Sequence, residues 1–175
     1  QDFEFETDFL GERYAIKRMG TDGDHRKAWE MLRRQQASAD AIGVGETSDH
    51  YHVGLRTIVN RETEKLLQVV TRVPVTTGST LRRLLQVRAV RHVQNELGNY
   101  FNNNRVLFLS GMRNYEIAVA LSDYTKNLSF ADPVFQAGSP LLLSSLAQLE
   151  LYARGNELVA GQTPFRLLEK SLAGL

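Results

Sequence analysis

A glycine turn between an apolar segment and a predicted helix is the part of the chain best suited to bind an anion. Val73–Val75 is short and apolar, and Gly78 lies in the turn that follows. A helix is predicted to begin at Ser79 or Thr80. The free N–H groups of a first helical turn and the helix dipole favour a phosphate or a carboxylate there, and Arg82 would add positive charge. The alternative is that Ser79 or Thr80 only caps the helix.

Two other glycine turns also follow predicted strands. Gly43 and Gly45 end one apolar segment, and Gly111 follows another. Open α/β sheets bind ligands at the carboxyl ends of their strands, so these turns predict a ligand crevice. Arginines there would select an anion, although a solvated helix face is the alternative. The first pair of glycines resembles the start of a dinucleotide-binding turn without its third glycine. The predicted cofactor-binding residues are Gly43, Gly45, Gly78, Ser79, Thr80, Arg82, Ser110, Gly111 and Arg113.

Two histidines are the candidates for a metal site. His50 and His52 lie on a predicted hairpin, Asp49–Arg56, where a spacing of two puts both side chains on one face. A metal site needs a third ligand, and the sequence fixes none nearby. We therefore expect no metal and favour an exposed polar face. The absence of cysteine also excludes a thiolate nucleophile and a cysteine-ligated zinc site.

The elements that would position these residues alternate between strands and helices. Phe3–Thr7 and Tyr14–Met19 alternate apolar and polar side chains and predict an N-terminal β-hairpin. Arg105–Leu109 is apolar on both faces, which is typical of a central strand. Short apolar strands separated by helices predict an α/β fold. We expect a mostly parallel, Rossmann-like sheet with helices on both faces.

Two predicted helices are rich in leucine. The helix after Gly78 has an amphipathic stripe of Leu81, Leu84, Leu85, Arg88 and His92, which is widened by Val87, Val90 and Val93. The last long helix, Leu141–Arg154, has too many leucines for a single stripe. It should be buried on several sides or cover a partner, and a homodimer through Leu141–Leu151 is the partner that we predict.

Composition bounds the class of protein. The chain has 175 residues, 42% hydrophobic residues and a formal charge of +1, as an ordinary globular protein would have. This charge gives no reason to expect a nucleic-acid partner. No apolar run approaches the roughly 20 residues that cross a bilayer, so we expect no membrane partner and a cytoplasmic location. We predict one α/β domain over residues 1–155 and, over 156–175, a C-terminal extension or the start of a further region.

Several motifs of the chain match those of a known family, and they follow one another in the same order. They are Gly20–Asp24, Asp40–Gly45, Pro74-Val75 with Gly78-Ser79 and Leu81, the Ser110 to Ala118 stretch, and Phe135–Pro140. With these motifs, roughly residues 10–153 resemble the bacterial quinate 5-dehydrogenase family. Thr77, Arg82 and Arg83 stand where relatives carry an acid and a Lys-Asn pair. Arg113–Glu116 replaces their Asp-Arg-Phe-Gly. These departures suit a divergent member with altered or lost activity.

The resemblance implies an oxidoreductase that uses NAD or NADP on a small polyol acid of the quinate or shikimate type. Such hydride transfer usually needs a general acid or base beside the alcohol. Asp132 and Asp22 are the predicted catalytic residues, with Asp24 and His25 as further candidates, although each acid is also suited to cap a helix. The alternatives are a non-catalytic α/β module that binds an anionic metabolite or a nucleotide, and a homodimeric interaction domain.

Overall fold

The computed structural model describes residues 2–160, with side chains described up to residue 155. These residues form two compact units, one of residues 2–44 and 62–76 and the other of residues 45–61 and 77–160. The elements of the first unit are β1 (Phe3–Phe9), β2 (Glu12–Arg18), α1 (His25–Gln35), β3 (Ile42–Gly43), α2 (Arg61–Leu67, all but its first residue) and β6 (Val75–Thr76). Those of the second are β4 (His50–Val53), β5 (Arg56–Val59), α3 (Ser79–Glu96), β7 (Val106–Phe108), α4 (Tyr115–Ser122), β8 (Leu128–Phe130), α5 (Asp132–Ala137) and α6 (Leu146–Ala160).

The predicted N-terminal β-hairpin is confirmed and belongs to the first unit. β1 and β2 pair antiparallel from Phe3 opposite Arg18 to Phe9 opposite Glu12. Leu10 and Gly11 both have positive φ, as a two-residue hairpin turn requires. Asp24 then caps α1 by accepting hydrogen bonds from the N–H groups of Arg26 and Lys27. The bond from Lys27 is the main reason why the pKa of Asp24 lies below its usual value.

The core of the first unit is small. Leu32 of α1 packs with Leu66 and Val70, and Ile42 and Val75 cover them from the two strands. β3 and β6 pair in parallel over only two residues each. This unit therefore depends on a few apolar side chains rather than on an extended sheet.

The core of the second unit lies between β7–β8 and the helices α4 and α6. Phe108 and Phe130 stack with ring centroids 5.3 Å apart. Leu149 and Ala153 of α6 and Ala118 of α4 are fully buried around them. The hairpin of β4 and β5 joins this core through Val53. Residues 45–61 are thus positioned by the core of the second unit.

The predicted Rossmann-like sheet is wrong. Over residues 2–160 the strands form four separate two-stranded sheets, and the parallel pairs, β3–β6 and β7–β8, are two and three residues long. Arg105–Leu109 was expected to be central because it is apolar on both faces, yet Leu107 and Leu109 are 55% and 53% exposed. β7 has β8 as its only neighbouring strand in the described residues. The three glycine turns therefore do not follow strands of one common sheet, because Gly43 and Gly78 stand at the ends of β3 and β6, whereas Gly111 follows β7.

Within the predicted apolar stripe of α3, Val90 is buried but the leucines are not. Leu81, Leu84 and Leu85 are exposed, whereas Val90 and Gln94 are buried. The Gln94 amide donates to the Asn102 side chain and accepts the Phe101 N–H, so a polar residue holds the loop that follows the helix.

The last long helix begins later than predicted, at Leu146, and continues to Ala160. Leu149 faces the core, while Leu141, Leu142 and Leu151 are exposed. The homodimer and the single domain over residues 1–155 stay predictions. Most of the predicted 156–175 extension lies outside the described residues. None of the helices described here is long and apolar enough to cross a membrane.

Gly111 provides a test of the core of the second unit. A Cβ atom at this position would lie 2.3 Å from Cδ1 of Phe130, so Gly111→Ala forces the buried aromatic ring to move. We expect this overpacking to lower the free energy of unfolding by about 1–3 kcal/mol, measured by urea denaturation. Gly155→Ala, which meets no atom within 4 Å in a helix, is the control and should be neutral or stabilising. Equal stability of Gly111→Ala and the wild type would contradict this packing.

Candidate functional site

The second unit contains a cavity of about 330 Å³, a size at the lower end of small-molecule sites. Three segments of the chain form its wall: the start of the β4–β5 hairpin, the first two turns of α3, and the loop that leads into α4. The lining residues are Ser48, His50, Tyr51, His52, Ser79, Thr80, Arg82, Arg83, Gln86, Ser110, Arg113, Asn114, Tyr115 and Glu116.

The charged side chains of the cavity wall are mostly positive. Three arginines, Arg82, Arg83 and Arg113, face one carboxylate, Glu116. The Arg82 guanidinium donates to the Ser48 hydroxyl at 2.6 Å, and Nε of Arg83 lies 4.0 Å from the Glu116 carboxylate. That distance is too long for a short ion pair, and Glu116 is the one carboxylate among the lining residues. The cavity therefore favours an anionic ligand.

The N-terminus of α3 contributes Ser79 and Thr80 to the cavity wall. The N-cap residue is Gly78, with φ of 72° and no side chain, and the Ser79 N–H donates to the Thr77 hydroxyl at 3.3 Å. The alternative in which Ser79 or Thr80 caps the helix is therefore wrong. The Ser79 hydroxyl instead donates to Asp49 at 2.6 Å. The positive end of the helix dipole thus adds to the charge of the arginines.

Asp49 organises the hydroxyl groups at the base of the hairpin. Its Oδ1 accepts from the hydroxyls of Thr77, at 2.5 Å, and Ser79, and its Oδ2 lies 2.8 Å from Nδ1 of His50. Burial alone would raise the pKa of Asp49, but the hydrogen bonds from Ser79, Thr77 and His50 outweigh it and hold the pKa well below its usual range. Asp49 is therefore an ionised carboxylate at neutral pH.

The imidazole of His50 is held by this carboxylate. An ionised carboxylate only accepts hydrogen bonds, so the proton between the two groups belongs to Nδ1 of His50. The ring also contacts that of His52, with centroids 5.2 Å apart, and Nδ1 of His52 lies 3.1 Å from the Thr57 hydroxyl. Within the described part of the chain, no group of three histidines or carboxylates could hold a metal ion.

Two tyrosines complete the cavity wall with protonated phenols. Burial raises the pKa of Tyr51 to about 12. The pKa of Tyr115 is also raised, first by burial and then by Glu150, whose carboxylate accepts the Tyr115 hydroxyl at 2.5 Å. Both phenols therefore remain hydrogen-bond donors at neutral pH.

The cavity brings together five of the nine predicted cofactor-binding residues: Ser79, Thr80, Arg82, Ser110 and Arg113. Gly78 precedes them as the N-cap of α3, and the other three glycines are not part of the wall. Gly43 belongs to β3 of the first unit, and Gly45 is an exposed residue at the start of the second. Gly111 is buried, and its missing side chain is explained by contact with Phe130.

The two predicted catalytic acids lie elsewhere. Asp132 is 1% exposed and accepts the N–H groups of Gly111 and Met112 at 2.8 and 3.0 Å. Burial raises the pKa of Asp132, although these two hydrogen bonds oppose the rise. Asp22 occupies an exposed turn of the first unit with φ of 51°. Neither residue lines the cavity.

Sequence reasoning considered His50 and His52 only as metal ligands and missed Ser48, Asp49 and the two tyrosines as members of a site. The adjacent Asp49-His50 pair was a usable signal, because an acid beside a histidine can orient the imidazole. What the sequence did not reveal is that this pair would meet α3 and the 110–116 loop.

The ionised state of Asp49 gives a pH prediction. A folded-state pKa below the ordinary value of about 3.9 stabilises the fold above that pH, and this stabilisation is lost as the pH falls below it. Between pH 5 and pH 2 the free energy of unfolding of the wild type should fall more steeply than that of Asp49→Asn, measured by urea denaturation at each pH. Exposed Asp123 supplies the control variant, Asp123→Asn. Parallel curves for the wild type and Asp49→Asn would contradict the network.

Comparison with known families covers both parts of the chain. Residues 80–174, more than half of the chain, match the family described as Domain of unknown function (DUF8754). The chain belongs to the DUF8754 family. Residues 1–77 match a second family, Domain of unknown function (DUF8753). No curated protein and no solved structure matches. Neither description mentions a quinate dehydrogenase, so that resemblance stays a prediction.

The match to DUF8754 does not include the whole cavity wall. Thr80, the arginines and the 110–116 loop fall within residues 80–174, whereas Ser48, His50 and His52 fall within the DUF8753 match. Residues 45–61 nevertheless belong to the second compact unit, together with the rest of the cavity wall. The site of this DUF8754 member therefore combines side chains from both matched regions.

Proposed function

We propose that the second unit binds a small anionic molecule through a phosphate or carboxylate group. The observation that carries this proposal is the cavity in which Arg82, Arg83 and Arg113 face a single glutamate. Guanidinium groups form strong, charge-assisted hydrogen bonds with phosphate and carboxylate oxygens. Further N–H groups of the first turn of α3 and the hydroxyl of Ser110 would supply further donors.

The oxidoreductase alternative has less support from this geometry. It was drawn from a family resemblance and from an expected Rossmann-like sheet that the described residues do not form. Its candidate acids, Asp132 and Asp22, do not line the cavity. NAD and NADP remain ligand candidates only because both carry a diphosphate, which is an anion of the proposed class. A cytoplasmic location is likewise a proposal, in keeping with the absence of cysteine.

Isothermal titration calorimetry with a graded set of anions tests the proposal. The probes are inorganic phosphate, diphosphate, quinate, NADH and NADPH, each titrated into the full chain at low ionic strength. We expect saturable binding of at least one of them, and the affinity should weaken as salt is added. Absorbance at 340 nm after addition of quinate to the oxidised dinucleotides tests the oxidoreductase alternative. No heat with any probe at millimolar concentration would contradict anion binding.

A further inference from the structure

Beside the arginines, the cavity holds a histidine in the arrangement of a general base. We propose that the cavity is the active site of a hydrolase for small phosphate esters, in which His50 activates water and Asp49 orients His50. This inference rests on the proposed anion binding, because the arginines must first hold the phosphate group.

The proton positions follow from the hydrogen bonds. Asp49 is ionised, so Nδ1 of His50 carries the proton that faces Oδ2 at 2.8 Å. In the neutral imidazole the other ring nitrogen, Nε2, then has a lone pair that can accept a proton. Among residues 2–155, whose side chains are described, the hydrogen bond seen for the His50 ring is the one to Asp49. His50 is thus part of the cavity wall, and its Nδ1-protonated tautomer is the one that lets Nε2 act as a base.

The hydroxyl groups beside Asp49 have a positioning role. The hydroxyls of Thr77 and Ser79 both donate to Oδ1 of Asp49, which leaves Oδ2 for the imidazole of His50. These hydrogen bonds restrict rotation of the Asp49 carboxylate. A hydroxyl that donates to the carboxylate is not directed at the base, so neither residue is placed as the nucleophile. Ser48 accepts a hydrogen bond from Arg82. The Ser48 hydroxyl keeps its own proton, but no hydrogen bond from it to His50 is seen among residues 2–155, so water is placed as the nucleophile.

The reaction needs no reagent besides water. One proton of water passes to Nε2 of His50 while the water oxygen forms a bond to phosphorus. The bond from phosphorus to the ester oxygen breaks on the opposite side, where the leaving alkoxide takes a proton from solvent, and the imidazolium returns its proton to solvent. The products are an alcohol and inorganic phosphate, and His50 returns to its neutral state. Arg82 and Arg113 would hold the non-bridging oxygens, whose charge must be stabilised in the transition state.

Release of nitrophenolate from p-nitrophenyl phosphate tests this inference on the full chain. We expect His50→Ala to lower kcat by about 100-fold or more, as the loss of a general base typically does. Added imidazole should restore part of the rate, which a purely structural defect would not allow. His92→Ala, at an exposed histidine of the same unit that is not part of the wall, is the control and should leave the rate unchanged.

The variant Asp49→Asn tests orientation of the His50 imidazole independently of phosphate binding. We expect its kcat to fall by at least 10-fold while KM and the Kd for inorganic phosphate change little, because the arginines that hold the phosphate remain. Phosphate binding without turnover in the wild type would overturn the hydrolase inference and leave the proposed function intact. Absence of both would overturn the hydrolase inference, and absence of binding by every probe of the anion set would overturn the proposed function as well. Turnover that survives in His50→Ala at the wild-type rate would also overturn the inference.

Discussion

Replacing Asp132 with alanine is expected to lower the free energy of unfolding by about 4 kcal/mol, the largest effect on stability that we predict. The Asp132 carboxylate accepts the N–H groups of Gly111 and Met112 in a site from which water is excluded. Each buried N–H left without a partner costs about 1–3 kcal/mol, and the lost side chain also leaves a cavity. Urea denaturation followed by circular dichroism measures the change.

Asp123→Ala is the matched control for this variant, because Asp123 is an exposed acid of the same unit at the end of α4. Its effect should stay within about 0.5 kcal/mol, as for most surface substitutions. Asp132→Asn keeps one acceptor oxygen and should fall between alanine and the wild type. If Asp132→Ala unfolded at the same urea concentration as the control, Asp132 would not hold the 110–112 loop. The acid would then be available again for the catalytic role that the resemblance implies.

Replacing Arg82 and Arg113 together with glutamine is expected to weaken anion binding by at least 100-fold. Each arginine offers charge-assisted hydrogen bonds worth about 1.5–3 kcal/mol to an anion, and glutamine retains polarity without charge. Arg82 belongs to α3 and Arg113 to the loop before α4, so the double variant removes charge from two segments of the cavity wall. Calorimetry with the tightest probe from the anion set measures the loss.

The control for the arginine pair is Arg88→Gln with Arg91→Gln. Both residues are exposed on α3, and neither lines the cavity. The control removes the same total charge, so it corrects for long-range attraction between the protein and the ligand. Equal loss of affinity in the two double variants would mean that binding reflects net charge and that no defined site exists.

Local signals in the sequence predicted local structure well. The alternating pattern of Phe3–Thr7 and Tyr14–Met19 predicted the N-terminal hairpin, and the acid before His25 predicted the cap of α1. Each of these features depends on neighbouring residues in the chain. Apolar periodicity was less informative, because it reports which side chains can be buried and not which partner buries them. Leu107 and Leu81 show this limit, since both are apolar and exposed.

The candidate site was predicted in part for the same reason. Ser79, Thr80 and Arg82 were found because a helix start has a sequence signature. Asp49 and His50 were missed as catalytic candidates because their place beside α3 depends on tertiary packing of the β4–β5 hairpin, anchored by Val53. The prediction placed the arginines at the edge of a parallel sheet. In the structure Arg82, Arg83 and Arg113 instead line a cavity between the β4–β5 hairpin and the helices α3 and α4.

The location of the bound anion tests the central claim most directly. Backbone amide shifts in ¹H–¹⁵N spectra of the labelled chain would be followed while diphosphate is added, since a protein of 19.8 kDa is suited to this measurement. The cavity predicts saturable shifts for amides at 48–52, 79–83 and 110–116, with little change in the hairpin of residues 3–18. Shifts confined to other regions, or shifts that rise without saturation over the whole surface, would contradict an anion site in this cavity.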